Sequence, residues 1–221
     1  MDDIFKVTNL GFSVDDTQIL DGINFSAKTG EYITIIGPSG SGKSTFLRIL
    51  ATLLTPTEGK VIFQGRTQES FAKEEYRRKV SYCFQQPSLF GTTVKDNLQF
   101  PFEIRDEIFD EERVITALHQ VQLAPEMLDK KITELSGGEK QRIALIRNLL
   151  FTPEVLLLDV VTTGLDSETK AIVHTLIEKL NQEKKVTVLA ITHDESEINL
   201  AHRLVKIKAG RMVGGENELN S

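Results

Sequence analysis

The order of apolar and polar positions predicts a mixed α/β chain whose first third is rich in strands. Between residues 4 and 36, short apolar or alternating runs are separated by turn residues at Asp15-Asp16 and Lys28-Thr29-Gly30, which is typical of short strands joined by turns. The predicted strands are Ile4–Val7, Gly11–Val14, Ile19–Ser26 and Ile33–Ile36. A helix should follow and end near Leu53, before Pro56, and Glu58-Gly59 predicts a hairpin turn into a strand at Lys60–Phe63.

The middle of the chain loses this β pattern and predicts a helical insertion. A strand is expected at Val80–Phe84, and it ends at Gln85-Gln86-Pro87. Thr93–Leu98 predicts one helical turn, and Asp110–Val121 predicts a better helix with apolar residues on one face. Pro101 and Pro125 are expected to break this region.

The last third alternates helices with strongly apolar strands. Ser136–Leu150 predicts a helix, and Val155–Asp159 reads as a strand buried on both faces. A helix with an apolar stripe should precede a core strand at Val186–Thr192, and a short helix is expected at Glu195–Ala201. The apolar stripe of the first of these helices consists of Ile172, Val173, Leu176, Ile177 and Leu180. Strands are predicted at Leu204–Lys208 and Met212–Val213, followed by a loose polar tail at Gly214–Ser221.

One glycine-rich stretch between a predicted strand and a predicted helix carries a complete phosphate-binding pattern. Its residues fit G-x-x-x-x-G-K-[ST] at every fixed position: Gly37, Pro38, Ser39, Gly40, Ser41, Gly42, Lys43 and Ser44, followed by Thr45. Glycines let backbone N–H groups surround phosphate oxygens, and the helix that follows directs its positive end at the same anion. Lys43 should neutralise β- and γ-phosphate charge, and the Ser44 hydroxyl should bind Mg²⁺. A plain Gly/Ser loop is the weaker interpretation, because the flanking strand and helix are also present.

A carboxylate after a second buried strand complements this loop. Asp159 ends the run Val155–Asp159, and ligands of open α/β sheets bind at the carboxyl ends of parallel strands. We therefore predict that Asp159 holds Mg²⁺ together with Ser44, although many strands end in Asp merely as a turn starter.

Composition excludes several classes of protein. The 221 residues carry a net charge of −6, which argues against a dedicated nucleic-acid binder but leaves room for a local basic patch. Cys83 is the only cysteine, so an intramolecular disulfide is impossible, and its apolar neighbours indicate a buried thiol. The acidic N-terminus has no signal-peptide pattern, and no apolar run approaches the ~18 residues of a membrane span. We expect a soluble, cytoplasmic chain.

A second motif begins the helix at 136. Ser136 and Glu139 have the S-x-x-E spacing of a capping box. A capping box alone does not require Gly137 and Gly138 between them, and these glycines leave backbone amides open to an approaching phosphate.

The stretch LSGGEKQR at residues 135–142, between the phosphate loop and Asp159, resembles the signature of ATP-binding-cassette (ABC) ATPases. Other family marks follow in order: Gln85 after a strand, the turn Thr163-Gly164-Leu165-Asp166, and His193. The resemblance covers residues 4 to 210. It implies an α/β fold, a P-loop NTPase core with an antiparallel β subdomain and an inserted helical subdomain at roughly 88–150. Residues 1–221 are then expected to form a single ATP-binding domain.

The resemblance also implies a mechanism. Two such chains pair head to tail, and Ser136, Gly137 and Gly138 of one cover the ATP held by Lys43 of the other. Gln85 would sense Mg²⁺, His193 would contact the γ-phosphate, and Asp166 would couple the two sites. The expected protein is the ATPase subunit of an ABC transporter, a homodimer when ATP is bound. It would lie on the cytoplasmic face of the cell membrane, docked through Gln85–Leu98 on a separate transmembrane permease.

Three further stretches make the chain similar to the ATP-binding subunits of iron or metal exporters: Val80–Cys83, Leu89–Leu98 and Leu145–Leu149. A non-transport ABC protein is a weaker alternative, because such proteins usually carry two cassettes or a long coiled-coil insertion. The other histidines, at 119, 174 and 202, fit no motif and are expected on helix surfaces or in the core.

Two positions depart from the family pattern. Val160 stands where the family has the glutamate that polarises the attacking water, and the loss of a positioned general base typically costs about 10²–10⁴ in rate. His193, Gln85 and Asp194 are the groups left to assist, and none is an equal replacement. Val14 stands where an aromatic often stacks on adenine. Phe12 could substitute, although the alternation along the strand points it into the core. A regulatory clamp that binds ATP with little turnover is therefore another alternative.

Overall fold

The computed structural model describes residues 2–162, 164–199 and 201–213. Within these residues ten strands form two sheets, and seven α-helices connect or cover them. The strands are β1 (Asp3–Val14), β2 (Thr17–Lys28), β3 (Tyr32–Ile36), β4 (Glu58–Phe63), β5 (Arg66–Thr67), β6 (Val80–Cys83), β7 (Val155–Asp159), β8 (Thr187–Ile191), β9 (Arg203–Lys208) and β10 (Arg211–Val213). The helices are α1 (Lys43–Leu50), α2 (Lys73–Lys79), α3 (Val94–Glu103), α4 (Glu111–Gln120), α5 (Gly137–Leu149), α6 (Ser167–Lys184) and α7 (Glu195–Asn199). Thr163 and the predicted polar tail Gly214–Ser221 lie outside the described residues.

The first sheet is antiparallel, in the order β2-β1-β4-β5. The two strands predicted at 4–7 and 11–14 are one strand, β1, interrupted by register shifts where Asn9 adopts a φ of 48°. The turn predicted at Glu58-Gly59 is wrong, because both residues belong to β4. Gly59 has a φ of 76°, and a Cβ there would lie 2.2 Å from the carbonyl oxygen of Asn9. The glycine therefore permits an irregular, close approach of β1 to β4 rather than a turn.

The second sheet has the order β10-β9-β3-β8-β7-β6, and only β10 is antiparallel to its neighbour. β7 and β8 are buried at every residue, as expected of central parallel strands covered on both faces. Helix α1 packs its apolar side between the two sheets, where Phe46, Leu47, Ile49 and Leu50 have no exposed surface. This arrangement confirms the predicted α/β class.

The helices between β6 and β7 pack around a second apolar cluster that continues onto α6. α3 begins at a capping box formed by Thr93 and Asp96 and runs five residues beyond the predicted end at Leu98. Pro101, which was expected to break the region, lies buried inside this helix. Tertiary packing has overridden the local cost of proline there. α4 and α5 fall within one residue of their predicted ends.

Cys83 lies at the end of β6 and is buried, as predicted. Its sulfur accepts a hydrogen bond from Asn148 Nδ2 at 3.4 Å. Burial raises the pKa of the thiol to about 12, so the thiolate is not accessible near neutral pH.

No helix in the described part of the chain is long and apolar enough to cross a bilayer.

Candidate functional site

The carboxyl ends of β3, β6, β7 and β8 meet at one edge of the parallel sheet, and a cleft opens there. Its volume is about 400 Å³, within the usual range for a small-molecule site. It is lined by Ile19, Ser39, Gly40, Ser41, Gly42, Lys43, Ser44, Thr45, Gln85, Val160 and His193. Residues singled out in four separate parts of the sequence, namely the phosphate loop, Gln85, Val160 and His193, are therefore brought together in one site.

The phosphate loop runs from the end of β3 to the start of α1, and three of its glycines have positive φ angles. Gly37, Gly40 and Gly42 have φ values of 146°, 75° and 99°. A Cβ at Gly42 would meet the Leu20 side chain at 2.6 Å, whereas nothing lies within 4 Å of one at Gly40. Gly40 thus faces open space in the cleft, which leaves room for a ligand close to the backbone.

Lys43 is buried and bonded to its own loop. Its Nζ donates to the carbonyl oxygens of Gly37 and Pro38, both at 2.8 Å. Burial lowers the pKa of Lys43, and the carboxylate of Asp159 opposes this shift. The hydroxyl of Ser41 is also buried and has no hydrogen-bond partner. An unsatisfied buried hydroxyl beside a lysine fits a site completed by an anionic ligand.

Asp159 ends β7 beside the loop and is almost fully buried, with 1% of its surface exposed. Ser44 Oγ donates to its Oδ1 at 2.8 Å, and the Tyr82 hydroxyl donates to its Oδ2 at 2.5 Å. Arg48 adds a weak ion pair, 3.9 Å from Oδ2, and donates to the Tyr82 oxygen at 3.3 Å. Serine hydroxyl and carboxylate oxygens are the hard ligands that suit Mg²⁺, so this donor set fits the expected cation.

Tyr82 and Arg48 were not predicted as part of the site. Their positions follow from strand pairing and helix periodicity: β6 pairs with β7 in parallel, and Arg48 lies one helical turn beyond Ser44. The bond to Asp159 and burial together raise the pKa of Tyr82, burial more strongly. The phenol therefore acts as a permanent hydrogen-bond donor that orients Asp159.

Tyr82→Phe should lower the free energy of unfolding by about 1.5–3 kcal/mol, because a hydrogen bond to a buried charged group is lost. Tyr76→Phe is the control, since Tyr76 is buried but its hydroxyl has only neutral partners: it donates to the carbonyl of Leu50 at 2.7 Å and accepts from Gln68 Nε2 at 2.9 Å. Gln68 Nε2 keeps its bonds to the carbonyls of Ile49 and Leu50 in the variant, so the loss should be only about 0.5–1.5 kcal/mol. Urea unfolding of both variants measures the difference, and equal losses would contradict a charge-assisted role for Tyr82.

Gln85 and His193 approach the cleft from the ends of β6 and β8, and both are exposed. The segment after His193 is fixed to α6 by one ion pair and by one contact between a histidine and a carboxylate. Lys170 Nζ lies 2.6 Å from Asp194 Oδ2, and His174 Nε2 lies 2.9 Å from Glu197 Oε1. The bond from Lys170 is the main cause that lowers the pKa of Asp194, whereas Glu197 raises the pKa of His174. His174, which fits no motif, therefore holds the His193 segment in place.

The two remaining histidines occupy ordinary positions: His119 and His202 are exposed, and His119 lies on α4. In the described part of the chain no three histidine, cysteine or acidic side chains are grouped as a metal site.

Val160 lines the cleft directly after Asp159 and has a φ of 55°. A β-branched residue in this left-handed region is a backbone outlier that costs of order 1–3 kcal/mol. Its N–H donates to the carbonyl oxygen of Ile191 at 3.2 Å, and its side chain is buried. No carboxylate therefore stands at this position of the cleft.

The residues of the second motif lie apart from this cleft. Ser136 caps α5: its hydroxyl accepts from Glu139 N–H at 3.2 Å, and Glu139 Oε2 accepts from Ser136 N–H at 2.7 Å. The predicted capping box is therefore present, and its bond from the Ser136 N–H lowers the pKa of Glu139. A Cβ at Gly137 would meet nothing within 4 Å, so the turn is open to an approaching group.

Asp166 lies next to this motif rather than in the cleft. It caps α6, with Oδ1 accepting from Thr169 N–H at 2.9 Å and Oδ2 from the Thr169 hydroxyl at 2.8 Å. These bonds lower its pKa. A Cβ on Gly138 would be 3.4 Å from the same threonine hydroxyl, so α5 and α6 begin side by side. Ser136–Gly138 and Asp166 thus form a second surface, separate from the phosphate loop.

The two residues considered for adenine stacking, Val14 and Phe12, differ in exposure. Val14 is exposed, and Phe12 is partly buried against the main apolar cluster. Neither residue lines the cleft, whereas Ile19 does.

This fold and cleft define a nucleotide-binding protein with a phosphate loop. The family model described as "ABC transporter" matches residues 20–163, so the chain belongs to the ABC transporter family and is an ATP-binding subunit with ATPase chemistry of this type. It is 45% identical to the probable iron export ATP-binding protein FetA of Escherichia coli, over 98% of this chain and 97% of that protein. It is 35% identical to the energy-coupling factor transporter ATP-binding protein EcfA1 of Lactococcus lactis, over 96% and 79% of the two chains.

The solved structures agree with this assignment. The ATP-binding cassette MJ0796, in a dimeric post-hydrolysis state with ADP and Pi, superimposes with a TM-score of 0.86 at 32% identity. The superposition covers 95% of this chain and 97% of that one.

Proposed function

We propose that this chain powers the export of a metal ion, iron in the first instance, through a separate membrane-spanning permease on whose cytoplasmic face it lies. The observation that carries the proposal is the cleft, which joins the phosphate loop to Gln85, Val160 and His193. The 45% identity to a probable iron export subunit supports the choice of substrate. Residues 1–221 would act as one ATP-binding domain, with a helical part at roughly 88–150.

ATP would be bound by the loop residues Gly37–Thr45. Lys43 would exchange its bonds to loop carbonyls for phosphate oxygens, and the buried Ser41 hydroxyl would gain a partner. The amino end of α1 adds a positive dipole directed at the same group. Ser44, Asp159 and Gln85 would hold Mg²⁺, which supplies charge neutralisation at the β- and γ-phosphates.

Each ATP would be enclosed by two copies of the chain. Ser136, Gly137 and Gly138 lie outside the cleft with their turn exposed, which suits a role across a head-to-tail homodimer. Asp166, beside them, would meet the partner at the same interface. The dimeric state of the similar cassette MJ0796 supports this arrangement.

Hydrolysis should be slow, because Val160 can neither accept a proton nor orient water. Gln85 and His193 line the cleft and would contact the nucleophile and the γ-phosphate. Neither is an equal replacement for the glutamate, because the amide of Gln85 is not a base and His193 would be engaged as a hydrogen-bond donor to the γ-phosphate. Val160 also favours a second candidate function, an ATP-dependent clamp whose signal is dimerisation rather than turnover.

A measurement of dimerisation tests the head-to-tail site separately from nucleotide binding. The chain should elute as a dimer with ATP and Mg²⁺ and as a monomer with ADP in size-exclusion chromatography. Ser136→Arg should bind ATP normally without dimerising, and Lys43→Ala should do neither. An equal mixture of the two variants should recover part of the dimer, since each supplies the half that the other lacks. Failure of the mixture, with both variants folded, would contradict the head-to-tail site.

The transport role is tested in cells that lack the chain. The wild-type chain should copurify with a polytopic membrane protein and should lower the iron retained after an iron load. Lys43→Ala should fail to lower it, whereas Lys60→Ala, on the exposed edge of β4, should behave as the wild type. Absence of any polytopic partner would contradict the transporter role, and unchanged iron in all strains would contradict the substrate.

A further inference from the structure

Glu197 of α7 lies four residues after His193, and its carboxylate is the meeting point of three segments around the cleft. The side chain is 12% exposed, and its Oε1 lies 2.9 Å from Nε2 of His174 on α6. The hydroxyls of Thr192 and Thr162 also form hydrogen bonds with this carboxylate. Both threonines are buried. One carboxylate therefore joins α6, the end of β8 and the turn that follows β7.

Two of these segments carry residues of the cleft. Thr192 directly precedes His193, and Thr162 follows Val160 by two residues. His193 and Val160 both line the cleft. A second link joins the two segments, because the N–H of Val160 donates to the carbonyl oxygen of Ile191 at the end of β8. Side chains that do not line the cleft therefore help to set the positions of two residues that do.

The contact between Glu197 and His174 depends on the charge of the imidazole. Burial alone would raise the pKa of Glu197, but the hydrogen bonds from His174 and the two threonines lower it. The bond to Glu197 raises the pKa of His174 above the ordinary histidine value of about 6.5, although burial opposes this shift. Below that raised pKa the contact is an ion pair. As the pH rises through it, only a neutral donor faces the carboxylate, and the contact weakens.

The other charged or titratable groups near His174 come from its own helix, from β3 and from the segments on either side of α7. They are Lys170, Glu178, Tyr32, Asp194 and His202. The charges of Glu178 and Asp194 favour the imidazolium of His174. Lys170 is held 2.6 Å from Asp194, which balances its charge, and burial raises the pKa of Tyr32, which stays neutral. The His174 side chain is 33% exposed beside a cavity of about 220 Å³, so its proton exchanges with solvent.

We propose that Glu197 is a positioning residue that sets His193 against the γ-phosphate, and that the charge of His174 controls how firmly it does so. The inference rests on the γ-phosphate role proposed for His193. Glu197 and His174 would not touch ATP, because neither is among the described residues that line the cleft. When His174 is charged, the ion pair fixes the orientation from which His193 reaches the phosphate. When His174 is neutral, cleavage should slow, whereas ATP binding by the phosphate loop should be unchanged.

The pH dependence of cleavage tests the part played by His174. Single-turnover phosphate release is measured between about pH 6 and about pH 9 for the wild type, His174→Arg and His174→Gln. Arginine stays charged over this range. The rate of the wild type relative to His174→Arg should therefore fall from about one at the low end to about one-tenth at the high end. Relative to the uncharged His174→Gln, it should fall from about ten towards one.

These ratios cancel pH effects that arise elsewhere, because His193 and the remaining histidines are present in all three proteins. Near-UV circular dichroism confirms that each variant is folded. Each variant is compared with the wild type independently, so either ratio decides the question if the other variant does not fold. A ratio that stays constant across the pH range would overturn the inference.

Glu197→Gln separates positioning from a merely structural contribution. It should slow single-turnover cleavage by about tenfold to a hundredfold, and it should abolish the pH-dependent difference between histidine and arginine at position 174. Binding of a fluorescent ATP analogue should remain as tight as in the wild type. Glu195→Gln is the matched control, because Glu195 is exposed on the same short helix, and it should match the wild type in all three measurements.

His193→Ala distinguishes failure of this inference from failure of the role on which it rests. If His193→Ala cleaves ATP as fast as the wild type, the proposed γ-phosphate role of His193 fails, and this inference fails with it. If His193→Ala is slow while folded Glu197→Gln cleaves ATP as fast as the wild type, only this inference is overturned.

Discussion

Val160→Glu should raise steady-state phosphate release from ATP by about 10²–10⁴-fold, the usual contribution of a positioned general base. Val160 lines the cleft directly after Asp159, and Gln85 and His193 line the same space. A carboxylate introduced there would face the position where water must approach the γ-phosphate. The dimer formed with ATP and Mg²⁺ should become short-lived in the variant, because cleavage would remove the ligand that holds it together.

The backbone at this position should accept glutamate. Val160 has a φ of 55°, and the strain there is greatest for β-branched side chains. Glutamate is not branched at Cβ, so the change should relieve part of that backbone strain. The loss of the buried contacts of the valine methyl groups should offset this gain. Folding stability should consequently change little compared with the change in rate.

Val160→Gln is the matched control, since it has the size and polarity of glutamate without its basicity. It should remain as slow as the wild type and form the long-lived dimer. Phosphate release in single-turnover and steady-state assays measures all three proteins. A wild-type rate equal to that of Val160→Glu would show that another group already acts as base, and equal gains from Gln and Glu would show that the effect is not proton transfer.

The sequence predicted the parts of the site that depend on local chemistry. The phosphate loop, the buried strand ending at Asp159 and the capping box at Ser136 are defined by residues close together in the chain. Tyr82 and Arg48 were missed because their bonds to Asp159 join β6, α1 and β7. Such contacts depend on strand order, and short motifs do not encode strand order.

Two of the errors in the fold, at Gly59 and Pro101, have a related cause. Gly59 was interpreted as a turn glycine, because the proximity of the Asn9 carbonyl is not visible from neighbouring residues. Pro101 was interpreted as a helix breaker, because the buried surroundings that keep α3 intact come from elsewhere in the chain. In both cases a long-range contact decided the outcome against a correct local preference.

The phosphate loop is packed tightly against the sheet at Gly37 and faces open space at Gly40. Alanine substitutions at these two glycines should therefore separate the loop's contribution to folding stability from its contribution to ATP binding. Gly37 has a φ of 146°, and a Cβ there would lie 1.9 Å from the carbonyl oxygen of Ile207. Ile207 belongs to β9, which pairs with β3, so neither backbone can move without breaking the sheet. Gly37→Ala should therefore lower the free energy of unfolding by more than about 3 kcal/mol.

Gly40→Ala should weaken ATP binding more than it lowers folding stability. Its φ of 75° costs about 1–2 kcal/mol for an L-residue, but nothing within 4 Å would contact the new methyl group. Because Gly40 lines the cleft, that methyl group would occupy space meant for phosphate and should weaken ATP binding in a largely stable protein. Urea unfolding and titration with a fluorescent ATP analogue measure the two effects. If the urea midpoint of Gly37→Ala equals that of the wild type, the contact between the loop and β9 does not stabilise the fold. If Gly40→Ala binds ATP as tightly as the wild type, phosphate does not approach the loop at Gly40.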